Sequence, residues 1–236
     1  MKKIFLFLFL IFIILLGVYI IKTQSTRNLA TIPTTTSTTV AVDNVSITNM
    51  IIKEDQDNYI INANYPETNN TFINDDILSL IQSKIDDFKT IISKPSPISS
   101  KMTFDINYII ISNKDNILSL KFESESYAGT AHPSHLIFTK NYNIINNTEI
   151  TFEQVVANDS ILKSLSEFAI DYFKNQKFKF VLSLKGLEPN KENYQTFALT
   201  SGSAIFYFNE NQIAPYTAGS FELKVPYQLF EVESIE

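Results

Sequence analysis

The spacing of apolar positions changes several times along this chain, and each change marks an element. Ile4 to Ile21 is apolar throughout, with Lys2 and Lys3 before it and Lys22 after it. At about 1.5 Å per residue such a helix reaches roughly 27 Å, close to the hydrocarbon thickness of a bilayer. Lys22-Thr23-Gln24-Ser25 offers no small-residue cleavage site, so residues 1–22 predict an uncleaved signal-anchor. Residues 23–42 then lose all apolar periodicity around Thr34-Thr35-Thr36-Ser37-Thr38-Thr39, the composition of an extended tether.

From Asp43 onward the pattern is that of a folded body. Val45 to Lys53 and Asn58 to Tyr65 read as two strands, the second stopped by Pro66. Ile73, Ile77, Leu80, Ile81, Ile85, Phe88 and Ile92 recur at three and four, which predicts an amphipathic helix capped by Asn70 or Thr71. Lys101 to Ser112 and Ile117 to Tyr127 alternate as a hairpin about Asn113-Lys114-Asp115-Asn116, and Leu136 to Ile144 reads as a further strand. Phe152 to Val156 is a short helical piece. A longer helix follows, capped by Asp159 or Ser160, with Ile161, Leu165, Phe168, Ala169, Tyr172 and Phe173 turned inward. Phe178 to Leu184 is a strand or an irregular continuation, and Lys185 to Asn193 a polar loop. Ser203 to Tyr227 is the densest β-forming stretch: two strands joined by a corner of Pro215, Tyr216 and Gly219. The expected class is α+β, antiparallel sheets packed by two main helices behind an N-terminal transmembrane helix.

Composition narrows the chemistry. Without cysteine there is no disulfide, thiolate metal site or lipid-attachment thiol. The chain has 19 basic and 25 acidic residues, and three of the lysines fall within Met1 to Lys22, so the remainder carries a net charge of −9. An acidic exterior disfavours nucleic acid and favours basic partners. His132 and His135, three apart beside Pro133, would point to opposite faces of a strand, which argues against a shared metal. Glu123 and Glu125 share a strand face; such a pair suits acid–base work on a glycan, although a solvated face is the commoner meaning. Ser126 and Ser201-Gly202-Ser203 lack a nucleophile elbow, and five glycines form no phosphate cradle. Thus no catalytic residue, metal or cofactor is assigned. Pro215, Tyr216 and Gly219 read first as a structural corner and second as an exposed aromatic contact.

Two stretches carry a family resemblance. Tyr127-Ala128-Gly129-Thr130-Ala131-His132, with Thr148 to Val156 after the next strand, is similar to a pattern of a bacterial extracytoplasmic family. Phe206-Tyr207-Phe208-Asn209, Ile213-Ala214-Pro215-Tyr216, Ala218-Gly219 and Val225-Pro226-Tyr227 resemble its C-terminal signature. That family includes the outer domain of the anti-sigma factor RsiV and the region preceding the catalytic domain of the deacetylase PdaC. The resemblance implies a PdaC-type module over residues 43–145 and an RsiV-like module over residues 146–236, both outside the cytoplasmic membrane. In RsiV this body binds lysozyme. Anchor, tether, acidic charge and this resemblance together lead us to expect lysozyme or peptidoglycan as the partner and Tyr127, Gly129, His132, Pro215, Tyr216 and Gly219 as the contact residues. Only Met1 to Lys3 precede the apolar span, so neither an anti-sigma role nor a deacetylase domain is expected. Thr130 stands where a second glycine is usual, and Thr217 where alanine is common.

Overall fold

The computed structural model describes residues 44–93, 100–176 and 180–230. The expected membrane anchor and tether lie outside these residues, and among the described residues no helix is long and apolar enough to cross a membrane. Among the described residues the body consists of two sheets and three α-helices.

The larger sheet orders its strands β1 (Ile47–Asp55), β2 (Tyr59–Thr68), β3 (Met102–Lys114), β4 (Ile117–Tyr127), β5 (Ser134–Asn143) and β6 (Thr148–Glu149). It is mixed, which corrects the expectation of antiparallel sheets alone. β2 pairs with β3 in parallel, from Tyr59 opposite Met102 to Ala63 opposite Ile106. Parallel neighbours need a long crossover, and α1 (Thr71–Ile92) lies within it. Asn70 caps α1 by accepting the Ile73 N–H. Ile73, Ile77, Ile81, Ile85, Phe88 and Ile92 pack its buried stripe on Ile61, Ala63, Phe104, Ile106, Leu118, Leu120 and Phe122 of the sheet. Phe88 stacks on Phe104 with ring centroids 5.1 Å apart.

Pro66 does not stop β2. It sits in the strand opposite Asn49 of β1, beyond the last residue that β2 pairs with β3. A missing N–H costs little where one edge of the strand has already left the ladder. The β3–β4 hairpin turns on Asp115 and Asn116 alone, at φ 55° and 60°, a tighter turn than the four residues expected. A register shift between Ile110 and Ser112 bends β3 on its way to that turn.

The second layer holds α2 (Phe152–Val155), α3 (Asp159–Lys174) and an antiparallel sheet of β7 (Phe197–Leu199), β8 (Ser203–Phe208) and β9 (Phe221–Pro226). Asn158 caps α3, one residue before the position expected, by accepting the Ile161 N–H at 3.0 Å. Ile161, Leu165, Ala169 and Phe173 face Phe206, Phe208 and Leu223, whereas Tyr172, expected inward, is 41% exposed. Residues 180–183 form no strand, and residues 177–179 lie outside the described part. The expected polar loop contains two short 3₁₀ turns, Leu184–Leu187 and Lys191–Asn193, with Gly186 and Leu187 buried.

Polar side chains join the layers. Ser119 donates to Asn141 Oδ1 at 2.6 Å and accepts the Leu199 N–H at 2.9 Å, and Asn141 Nδ2 donates to the Phe197 carbonyl at 2.9 Å. All three contacts are buried, so each backbone group of β7 that loses water there gains a partner.

Candidate binding groove

The face of the larger sheet turned away from α1 is covered at one end by β7 and β8 and open at the other. Register decides what stands on the open part. Lys53 lies opposite Asn62, Asn62 opposite Asp105, Asp105 opposite Glu125, and Glu125 opposite His135, which makes one polar row across five strands. The next row places Asn107 opposite Glu123 and Glu123 opposite Ile137. Asn62 Nδ2 donates to Asp105 Oδ1 at 2.9 Å, and Asn64 Nδ2 to Asn107 Oδ1 at 3.0 Å.

The loop after β8 raises a wall beside these rows. Asn209 Oδ1 accepts the Ile137 N–H at 2.6 Å while its Nδ2 donates to the Ile137 carbonyl at 3.1 Å. This side chain imitates a strand partner, and it positions Glu210, whose Oε2 accepts the His135 N–H at 3.3 Å. The wall returns through Gly219, at φ 74°, and Ser220. Together these residues enclose an open groove of about 540 Å³ lined by Asp105, Glu123, Glu125 and Glu210, with His135 and no lysine or arginine among its described lining residues.

Neighbouring contacts moderate this acidity in part. Lys121 pairs with Glu123 at 2.6 Å and sits 5.2 Å from the Tyr207 ring centroid. Burial, then Glu222 and Glu123, holds the Tyr207 hydroxyl well above the usual tyrosine range, so it stays protonated at neutral pH. His135 Nδ1 stands 3.5 Å from Glu125 Oε2. Among the described residues no group of three or more His, Cys, Asp or Glu side chains is arranged to hold a metal ion.

The two stretches singled out in the sequence meet at this wall. Tyr216, in a short 3₁₀ turn (Tyr216–Ala218), donates to the Pro133 carbonyl at 2.8 Å, and its ring stacks on His132 with centroids 5.6 Å apart. Beside the groove, across Glu210, the pair lines a second hollow of about 490 Å³. Gly219 lines the main groove, as do Glu123 and Glu125; His132 does not. Tyr127 ends β4 opposite Thr103, Gly129 turns the following loop at φ 77°, and Pro215 opens the 3₁₀ turn. None of these three is among the described lining residues of either hollow.

Sequence reasoning passed over Asp105, Asn107, Asn209 and Glu210. Alternation does hold a signal for the first two, because Phe104 and Ile106 are buried and so place Asp105 and Asn107 on the outer face. No local signal brings Glu210, in an apparent turn, against β5.

Comparison with known proteins divides the body at β5. Residues 52–135 match the family model described as Deacetylase PdaC, and residues 137–228 match that of a protein of unknown function, DUF3298. A PdaC segment is followed by a DUF3298 segment. The groove is shared between them, with Asp105, Glu123 and Glu125 from the first and Asn209, Glu210 and Gly219 from the second. A DUF3298 family member from Bacteroides fragilis NCTC 9343 has the same fold at TM-score 0.56 and 16% identity, covering 80% of this chain and 93% of that one. A DUF3298 family protein from Pseudomonas aeruginosa PAO1 gives TM-score 0.56 at 13% identity, covering 80% and 94%. An esterase of Mycobacterium tuberculosis (strain ATCC 25618 / H37Rv) is 33% identical over 101 residues, 42% of this chain. The match spans 44% of that esterase, less than half its length.

Proposed function

We propose that this chain is a membrane-anchored, extracytoplasmic binding module of a bacterial cell envelope, whose groove takes a basic protein of the lysozyme type. The observation that carries the reading is the convergence of Asp105, Glu123, Glu125 and Glu210 on one open groove without a lysine or arginine among its described lining residues. Such a surface raises the encounter rate with a cationic partner and fixes its orientation. The apolar run Ile4 to Ile21 and the PdaC and DUF3298 matches support the envelope setting. Val45 is clamped to Asn113, near the β3–β4 turn, while the groove lies toward the other end of β4. The test is titration of the full chain, in mild detergent, with hen egg-white lysozyme at several salt concentrations. Binding that weakens steeply with salt and falls in Glu125→Gln supports the proposal; absence of binding at low salt overturns it.

A second reading is hydrolysis of an ester or an acylated glycan. It rests on the similarity to an esterase and on His135 and Glu125, 3.5 Å apart in a groove that Ser220 also lines. In that reading His135 acts as base and Glu125 orients its ring. Turnover of an aryl acetate that disappears in both His135→Ala and Glu125→Gln, with folding unchanged, would favour it over binding alone.

A further inference from the structure

The hollow beside the acidic groove combines two features, the first of which the groove itself lacks. One is an aromatic platform: the exposed His132 ring stacked on Tyr216, with an interplanar angle of 26°. The other is a carboxylate in the shared wall, since Glu210 lines both the groove and the hollow. The platform is held from below. Tyr216 is tied to the Pro133 carbonyl, and Thr130 Oγ1 donates to the His132 carbonyl at 2.7 Å. Asn209 sets the position of the wall through its two bonds to Ile137. The His132 ring and the Glu210 carboxylate therefore reach the hollow on separate, anchored segments, and Tyr216 shares the loop of Glu210.

We infer that this hollow is an arginine slot, which takes one guanidinium of the basic partner flat against the His132–Tyr216 rings while its N–H groups meet Glu210. The inference rests on the binding reading above and adds to it a preference among cations. A guanidinium is planar and weakly hydrated, stacks on aromatic faces and donates in a fixed fork to a carboxylate. An ammonium is a strongly hydrated point charge, which the acidic groove attracts equally well but the ring pair holds less well. Glu210 Oε2 already accepts the His135 N–H, so its carboxylate is oriented before a ligand arrives.

The experiment measures the affinity of the full chain in mild detergent for deca-arginine and deca-lysine peptides, which carry equal charge. The wild type is expected to bind deca-arginine about tenfold more tightly. His132→Ala and Tyr216→Leu should each reduce that ratio to near one, and Glu125→Gln should weaken both peptides while leaving the ratio in place. His132 is exposed, so its replacement keeps the test valid even if Tyr216→Leu unfolds. Equal binding of both peptides, unchanged in His132→Ala, overturns the slot and leaves the acidic-groove reading standing. Failure of both peptides to bind overturns both readings. Binding of chitin oligosaccharides in place of the peptides would reassign the aromatic platform to glycan and also overturn the slot.

Discussion

The Asn209 side chain pairs with the backbone of Ile137 as a neighbouring strand would, accepting its N–H at 2.6 Å and donating to its carbonyl at 3.1 Å. Seventy-two residues separate the two, and this one amide fastens the groove wall to β5. Asn209→Ala would leave both backbone groups of Ile137, itself 8% exposed, without that partner. We expect a loss of about 2–3 kcal/mol, measured as a shift in the urea midpoint. Asn209→Asp keeps the acceptor and loses the donor, so it should fall between the two.

Asn116 gives the opposite expectation. It is the second residue of the β3–β4 turn, at φ 60°, and its buried Oδ1 has no hydrogen-bond partner. Glycine relieves the left-handed backbone and removes the orphaned acceptor, while the backbone carbonyl that accepts the Ile144 N–H at 2.9 Å is retained. Asn116→Gly should stabilise the protein by about 1 kcal/mol, visible as a higher melting temperature.

Gly186 has no room for a side chain. A Cβ there would stand 2.1 Å from the Gln212 carbonyl oxygen and 2.8 Å from its carbon, both backbone atoms. The same approach brings the Ser183 N–H to the Ile213 carbonyl at 2.8 Å. Gly186→Ala must push these segments apart and should cost about 2–3 kcal/mol or more, read by chemical denaturation. Gly202, with nothing within 4 Å of its notional Cβ, is the control that should tolerate alanine.

Alkaline pH should unfold the second layer. Burial pushes the Tyr194 and Tyr227 hydroxyls up to about 12 from the ordinary value of 10.0. Both donate to backbone carbonyls, Tyr194 to Leu187 at 2.6 Å and Tyr227 to Thr200. A pKa raised on folding means that the folded state holds the proton more tightly. The stability is therefore fully present below pH 10 and is lost as pH rises toward 12. Urea midpoints should be flat below pH 10 and fall above it, and Tyr194→Phe should reduce the slope at the cost of a lower plateau.

Elements with a strong local period were legible in the sequence, and elements defined by their partners were not. Ile73 through Ile92 follow the helical repeat, and the alternation in Lys101–Tyr127 predicts a hairpin, because burial of one face imposes its period on the residues themselves. No such trace shows that β2 lies beside β3. A strand's own side chains do not record whether its neighbour runs parallel or antiparallel, so the crossover role of α1 appears only in the assembled sheet. Pro66 misleads for the same reason, since its cost depends on which edge of β2 is still paired.

The asparagines show the same division. In sequence they are an excess without a pattern. In the fold Asn74 clamps Thr68, Asn113 clamps Val45 and Asn209 clamps Ile137, each through both amide atoms. An amide carries donor and acceptor together, so it can close a backbone edge wherever the chain brings one. The sequence alone determined the apolar run Ile4–Ile21, the acidic balance of the rest and the α+β periodicities, since these are properties of composition and near neighbours. Only the tertiary structure decided that Asp105, Glu125 and Glu210 face one groove and that His132 stacks on Tyr216. Those contacts join residues some 20 to 105 positions apart, and register and long-range hydrogen bonds bring them together.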